Sequence, residues 1–98
     1  LAYIQKNYDR KISLEEIARA ASLSKSMCLH CFQNTIHKTP FKYLEEYRID
    51  KAKHQLTTTN LSVTAIAFNN GFSSSAYFGK VFREVTGFTP IQFRNQKQ

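Results

Sequence analysis

GFSSSAYFGKVFREVTGFTP, residues 71–90, decides how the chain folds. A glycine leads into Ser73-Ser74-Ser75-Ala76, with Ser73 the expected N-cap. Phe78, Val81, Phe82 and Val85 then recur at the i, i+3, i+4, i+7 spacing of one apolar helix face. Gly87 follows at the expected end near Thr86. The opposite face holds Ala76, Gly79, Lys80 and Arg83, small residues and two cations. No large side chain holds the backbone of such a helix away from a polyanion.

Upstream, the same unit appears a second time. Ser13, Ile17, Ala18, Leu23 and Ser24 recur 49 residues later as Ser62, Ile66, Ala67, Phe72 and Ser73. Past one inserted residue the offset becomes 50, and Phe32, His37, Thr39, Pro40 and Tyr43 recur as Phe82, Gly87, Thr89, Pro90 and Phe93. Two copies of one supersecondary unit indicate a duplication rather than a solenoid. Each copy reads as helix, short turn, helix. Ser13 with Glu16 three residues on is a capping box, and Leu14, Ile17, Ala18 and Ala21 supply that helix's apolar stripe. A second helix is expected after Ser24, ending near Ile36. In the later copy Ser62 caps a helix that the Asn69-Asn70-Gly71 sequence stops.

Between the copies, PFKYLEEYRIDKAKHQL (residues 40–56) reads as a long connector helix, with Pro40 in its first turn and Leu44, Tyr47, Ala52 and Leu56 on one buried flank. A leading helix over residues 1–8 and a short closing one from TPIQFR complete the pattern. The expected fold is therefore all-α, with about seven helices. It is one domain over residues 1–98: a first helix-turn-helix unit at 1–40, a linker helix at 41–57 and a second unit at 61–98.

Fourteen Lys and Arg against seven Asp and Glu give a formal charge of +7, which favours a polyanionic partner, nucleic acid before an anionic membrane. No apolar run approaches the ~20 residues needed to span a bilayer, and no helix pairs a wide apolar face with a lysine-rich one. No signal peptide is visible, so the expected location is cytoplasmic. A start at Leu1 suggests a piece of a longer protein. Enzyme chemistry finds no nucleophile elbow, phosphate loop or carboxylate pair. Cys28 and Cys31 form CLHC, but no second ligand pair follows at zinc spacing, so both read as free cysteines, small and readily buried hydrophobes, with neither metal nor cofactor expected.

The stretch LSVTAIAFNNGFSSSAYFGKVFREVTGFTPIQFR (residues 61–94) resembles the second DNA-binding half of the AraC/XylS family of bacterial transcription regulators. The resemblance rests on Ile66-Ala67, Gly71-Phe72, Tyr77-Phe78, Val81-Phe82-Arg83, Gly87, Thr89-Pro90 and Phe93-Arg94. It extends back through YLEEYRIDKAKHQL to SLEEIARAASLS and so covers nearly the whole chain. It implies sequence-specific binding of double-stranded DNA, with two recognition helices entering successive major-groove segments. It also implies a transcription activator whose full-length form carries a separate effector or dimerisation domain, with RNA polymerase a candidate partner.

Carried over residue by residue, the resemblance makes Ser74, Ser75, Ala76, Gly79, Lys80 and Arg83 the DNA-binding candidates of the second unit. Lys80 reaches a base or phosphate, Ser75 a base edge and Ala76 at most a thymine methyl. In the first unit the candidates are Lys25, Ser26, Leu29, His30 and Gln33. His30 stands where the family usually has arginine, and a histidine mostly neutral at pH 7 cannot supply that fixed charge. His37 takes a family glycine position that needs a backbone awkward for other residues. The first unit is thus expected to read sequence weakly, with Lys25 and Gln33 positioning it on the backbone. Arg48 and Arg94 also match family positions and suit either phosphate contact or a structural ion pair with Glu45 or Glu84. The alternative function is a degenerate helix-turn-helix module for protein contact or non-specific DNA binding.

Overall fold

Short hydroxyl side chains set most of the helix starts. A computed structural model describes residues 1–96 and contains seven helices, with no strand among the described residues. They are α1 (Ala2–Asn7), α2 (Leu14–Ala20), α3 (Lys25–Ile36), α4 (Pro40–Thr58), α5 (Val63–Asn69), α6 (Ser75–Thr86) and α7 (Pro90–Gln96). Side chains of Ser13, Ser24, Thr39, Ser62 and Ser74 each accept a hydrogen bond from the backbone N–H three residues on, satisfying a donor that the helix leaves free. The capping box of Ser13 and Glu16 is complete.

The cap of α6 corrects the sequence reading. Ser74, not Ser73, accepts from the Tyr77 N–H at 3.1 Å. The inserted residue of the second copy is therefore Ser73 itself, and the offset is already 50 at the caps of α3 and α6. With that offset Lys25 matches Ser75, Ser26 matches Ala76, Leu29 matches Gly79, His30 matches Lys80 and Gln33 matches Arg83.

Each unit packs its own core against one end of α4. The second core gathers Ile49, Ala52, Leu56, Ile66, Ala67, Phe72, Phe78, Val81 and Phe82. Its aromatic rings run in series, Phe72–Phe78–Phe82–Phe93, with centroids 5.0, 5.6 and 5.4 Å apart. The first core is leaner: Ile4, Ile12, Ile17, Ala18, Cys28 and Leu44, with Tyr and Phe rings only half-buried around it. Cys28 stands where the second unit has Phe78. The missing volume leaves a pocket of about 170 Å³ lined by Leu23, Cys28, Cys31, Phe32 and Ile36 among others.

Four expectations about burial change. Cys31 is exposed, because it lies on the pocket's open side while Cys28 fills the inward position. Val85 and Ala21 are also exposed, each at the C-terminal end of a helix, past the reach of the core. Tyr47 is only half-buried, stacked with Tyr43 and edge-on to Tyr8, and Ile49 takes the inward place instead. The linker α4 runs 19 residues, from Pro40 in its expected first turn to Thr58, past the expected C-terminal end, or ~28 Å at ~1.5 Å per residue. No helix of the described residues is long and apolar enough to cross a membrane.

Candidate nucleic-acid interface

On α6 the buried side is Phe78, Val81 and Phe82, which turns Ala76, Lys80 and Arg83 outward to exposed positions. Gly79 lies among them, and a Cβ built there meets nothing within 4 Å. Packing therefore does not require glycine at this position, although glycine inside a helix costs ~1 kcal/mol relative to alanine. Without a side chain, Gly79 leaves this part of the outer surface flat. Among the described residues neither Lys80 nor Arg83 has an acidic partner, so both charges stand free. Ser75 is half-buried at the first turn. The Ser74 hydroxyl accepts from the Tyr77 N–H as a cap, which fixes it at the helix start while its own O–H remains a donor.

The matching face of α3 is larger and less charged. Lys25, Ser26, Leu29, His30 and Gln33 are all exposed, as is Met27 between them. Lys25 Nζ lies 3.8 Å from Glu15 Oε1, so its charge is partly countered. Asn34 Nδ2 lies 2.9 Å from His30 Nε2, within hydrogen-bond distance one turn along the helix. Position for position, α3 places a leucine over a glycine, a histidine over a lysine and a glutamine over an arginine. The two faces share a geometry and differ in bulk and charge.

His37 adopts the left-handed backbone that its glycine counterpart Gly87 adopts, with φ of 58° and 84°. Ser22 does the same opposite Gly71, at 59° and 87°. The turns of the two units are therefore superimposable in kind, and the first pays in strain for lacking both glycines.

Arg48 and Arg94 are structural. Arg48 is half-buried; its Nε donates to the Tyr8 carbonyl at 2.7 Å and its Nη2 to the Arg10 carbonyl at 2.8 Å. Burial pulls its pKa down, against the opposing fields of Glu45, Tyr77 and Asp9. Arg94 donates to the carbonyls of Leu56, Thr59 and Leu61, at 3.0, 3.4 and 2.6 Å. Each arginine thus fastens the loop that leads into the first helix of a helix-turn-helix pair, α2 for Arg48 and α5 for Arg94. Backbone carbonyls, rather than Glu45 or Glu84, are their partners.

Sequence reasoning missed Tyr77 and Glu45, which join α6 to α4 through a hydrogen bond from the phenol to the carboxylate. They are 32 residues apart, and no periodicity connects them. It also missed Met27, which the corrected offset would have placed opposite Tyr77, at the third position of its helix.

Comparison with known proteins adds an independent line. Residues 17–96 match a family model described as a helix-turn-helix domain. The HTH-type transcriptional regulator YdeC of Bacillus subtilis is 36% identical over 94 residues, which cover 96% of this chain and 32% of YdeC. The chain thus spans about a third of the length of that relative. Among solved structures, an AraC-type DNA-binding regulator from Chromobacterium violaceum superposes with a TM-score of 0.92 at 27% identity, covering 98% of this chain and 86% of that one. The DNA-binding domain of the transcription factor AdpA, solved with a target DNA, has the same fold at a TM-score of 0.92 and 24% identity, covering 97% and 86%.

Proposed function

The chain belongs to the helix-turn-helix family of AraC-type transcription regulators, and on that premise we propose that it reads double-stranded DNA with α6 as the principal recognition helix and α3 as a weaker second. The observation that carries the assignment of roles is the outer face of α6. Two free cations there flank a glycine that nothing inside the protein requires. In this reading Lys80 and Arg83 reach phosphates or guanine edges, Ser75 a base edge and Ala76 a thymine methyl, while Gly79 lets the backbone sink between them. Ser74 holds the helix start. On α3, Lys25 and Gln33 position the unit on the backbone, and Ser26, Leu29 and His30 make the few base-edge contacts.

The dimensions agree with two docking points on one duplex face. The longest extent of the molecule is 44 Å, enough to span the ~34 Å of one DNA turn. The wider proposal places the chain in the cytoplasm as part of a longer activator, with a separate effector or dimerisation domain and contact with RNA polymerase. Relatives about three times its length support the longer chain in that proposal.

Fluorescence anisotropy of a bound duplex across a salt series tests the reading. The logarithm of affinity should fall linearly with that of salt, by ~0.9 per phosphate neutralised. Lys80→Ala should lower that slope by about one if Lys80 meets phosphate, or remove ~1–3 kcal/mol of discrimination at one base pair if it meets guanine. Affinity that stays flat between low and moderate salt would overturn it.

A further inference from the structure

The two units have separate cores, and among the described residues α4 is the only element shared by both. Leu44 belongs to the first core and Ile49 to the second, so the boundary falls at residues 45–48. Across it the units meet at Gly71 and Tyr8 but do not close up fully. A cleft of about 440 Å³ opens between them, bounded by Lys11 and Ile12 on one side and Gly71, Phe72 and Tyr77 on the other. Helices of this length bend, and units joined without a large apolar interface move relative to each other by default.

What spans the boundary is polar and local. Tyr77, on α6, donates its hydroxyl to Glu45 of α4. One turn along α4, Arg48 reaches in both directions. Its Nε and Nη2 grip the first unit at the carbonyls of Tyr8 and Arg10. Its guanidinium carbon lies 5.9 Å from the ring centroid of Phe72 in the second. Gly71 brings backbone into the same place, close enough to Tyr8 that no side chain would fit. A planar guanidinium with two fixed donors defines an orientation in a way that a lysine cannot.

We propose that Arg48 and the Glu45–Tyr77 pair form a clamp that fixes the orientation of the two units, and that they thereby set the half-site spacing the protein accepts. The second half of this inference rests on the DNA-reading function above; the first does not. A change of one base pair between half-sites rotates one reading head by ~35° about the duplex. A rigid pair of units rejects such a change, whereas a loosened pair follows it.

Two measurements on the same variants test the clamp. Residual dipolar couplings of backbone amides, recorded without DNA, should fit one alignment tensor across both units in the wild type. In Tyr77→Phe with Arg48→Met the two units should need separate tensors. Tyr77→Phe alone, at an exposed hydroxyl, should show a smaller divergence and serves if the double variant unfolds. On DNA, moving the half-sites apart or together by one base pair should weaken wild-type binding at least ~10-fold, and the folded variants should lose most of that preference. A single shared tensor in the folded variants overturns the clamp. Separate tensors with undiminished spacing preference overturn its role in specificity. If the wild type selects no sequence at all, the DNA-reading function fails, and the couplings alone still decide the clamp.

Discussion

Gly71 of the second unit and Tyr8 of the first meet backbone to backbone. Gly71 sits at φ 87°, and a Cβ there would overlap the Tyr8 carbonyl oxygen and lie 2.8 Å from Arg48 Nε. Two independent constraints thus hold one glycine, a left-handed backbone and a close approach. Gly87, at φ 84°, carries only the first, since a Cβ there meets nothing within 4 Å.

The two glycines should therefore respond differently to alanine. Gly87→Ala should cost the left-handed penalty alone, ~1–2 kcal/mol. Gly71→Ala must also displace backbone or Arg48 and should cost at least ~1–2 kcal/mol more. Urea denaturation of both variants checks the ordering. Equal losses would show that the contact with Tyr8 carries no weight.

Gly79 separates folding from binding. Gly79→Ala should raise stability by up to ~1 kcal/mol, because the helix interior gains a better former and the added methyl meets no atom of the protein. The same methyl should weaken DNA binding if α6 lies against the duplex. Thermal melting and a binding titration on one preparation read both signs. A variant that is more stable and binds equally well places the duplex elsewhere.

Cys28 occupies the place that Phe78 fills in the second unit, and a pocket of about 170 Å³ lies beside it. Cys28→Leu should fill part of that space and stabilise the first unit by ~1 kcal/mol, about what one additional buried methylene contributes at ~0.8 kcal/mol each. A loss of stability in the melting curve would mean that the pocket walls do not admit the larger side chain.

Glu16 makes stability depend on pH. The hydrogen bond from Arg10, then that from Tyr3, holds its carboxyl below the usual carboxylate range. A carboxylate depressed in the folded state adds stability above its unfolded pKa and loses it as the pH falls through the folded value. Glu16→Gln keeps a side chain suited to the capping box but cannot ionise. The difference in stability between wild type and variant should be present at pH 7 and shrink on acidification. A difference constant from pH 7 to pH 3 would show that the ion pair with Arg10 does not act.

How much of this was legible in the sequence follows from which forces act locally. Helix starts at Ser13, Ser24 and Ser62 were readable because a cap acts within three residues. So was the strained place of His37, because Gly87 stands opposite it in the repeat. The one misplaced cap, Ser73 for Ser74, arose in a run of three serines where composition cannot locate the boundary. Long-range polar contacts were not readable. Arg48 could be matched to a family position, but its partners are carbonyls 38 and 40 residues away, and a carbonyl leaves no trace in a sequence. The same holds for Tyr77 and Glu45. The outward face of α6 was legible throughout, since it follows from the apolar spacing on the other side.

Enrichment of bound duplexes from a random library at near-physiological salt tests the central claim most directly. Two sequence blocks centred ~10 base pairs apart are expected, with the more strongly conserved one lost in Lys80→Ala. No enriched sequence from the folded protein would contradict sequence reading and leave this surface to non-specific DNA or protein contact.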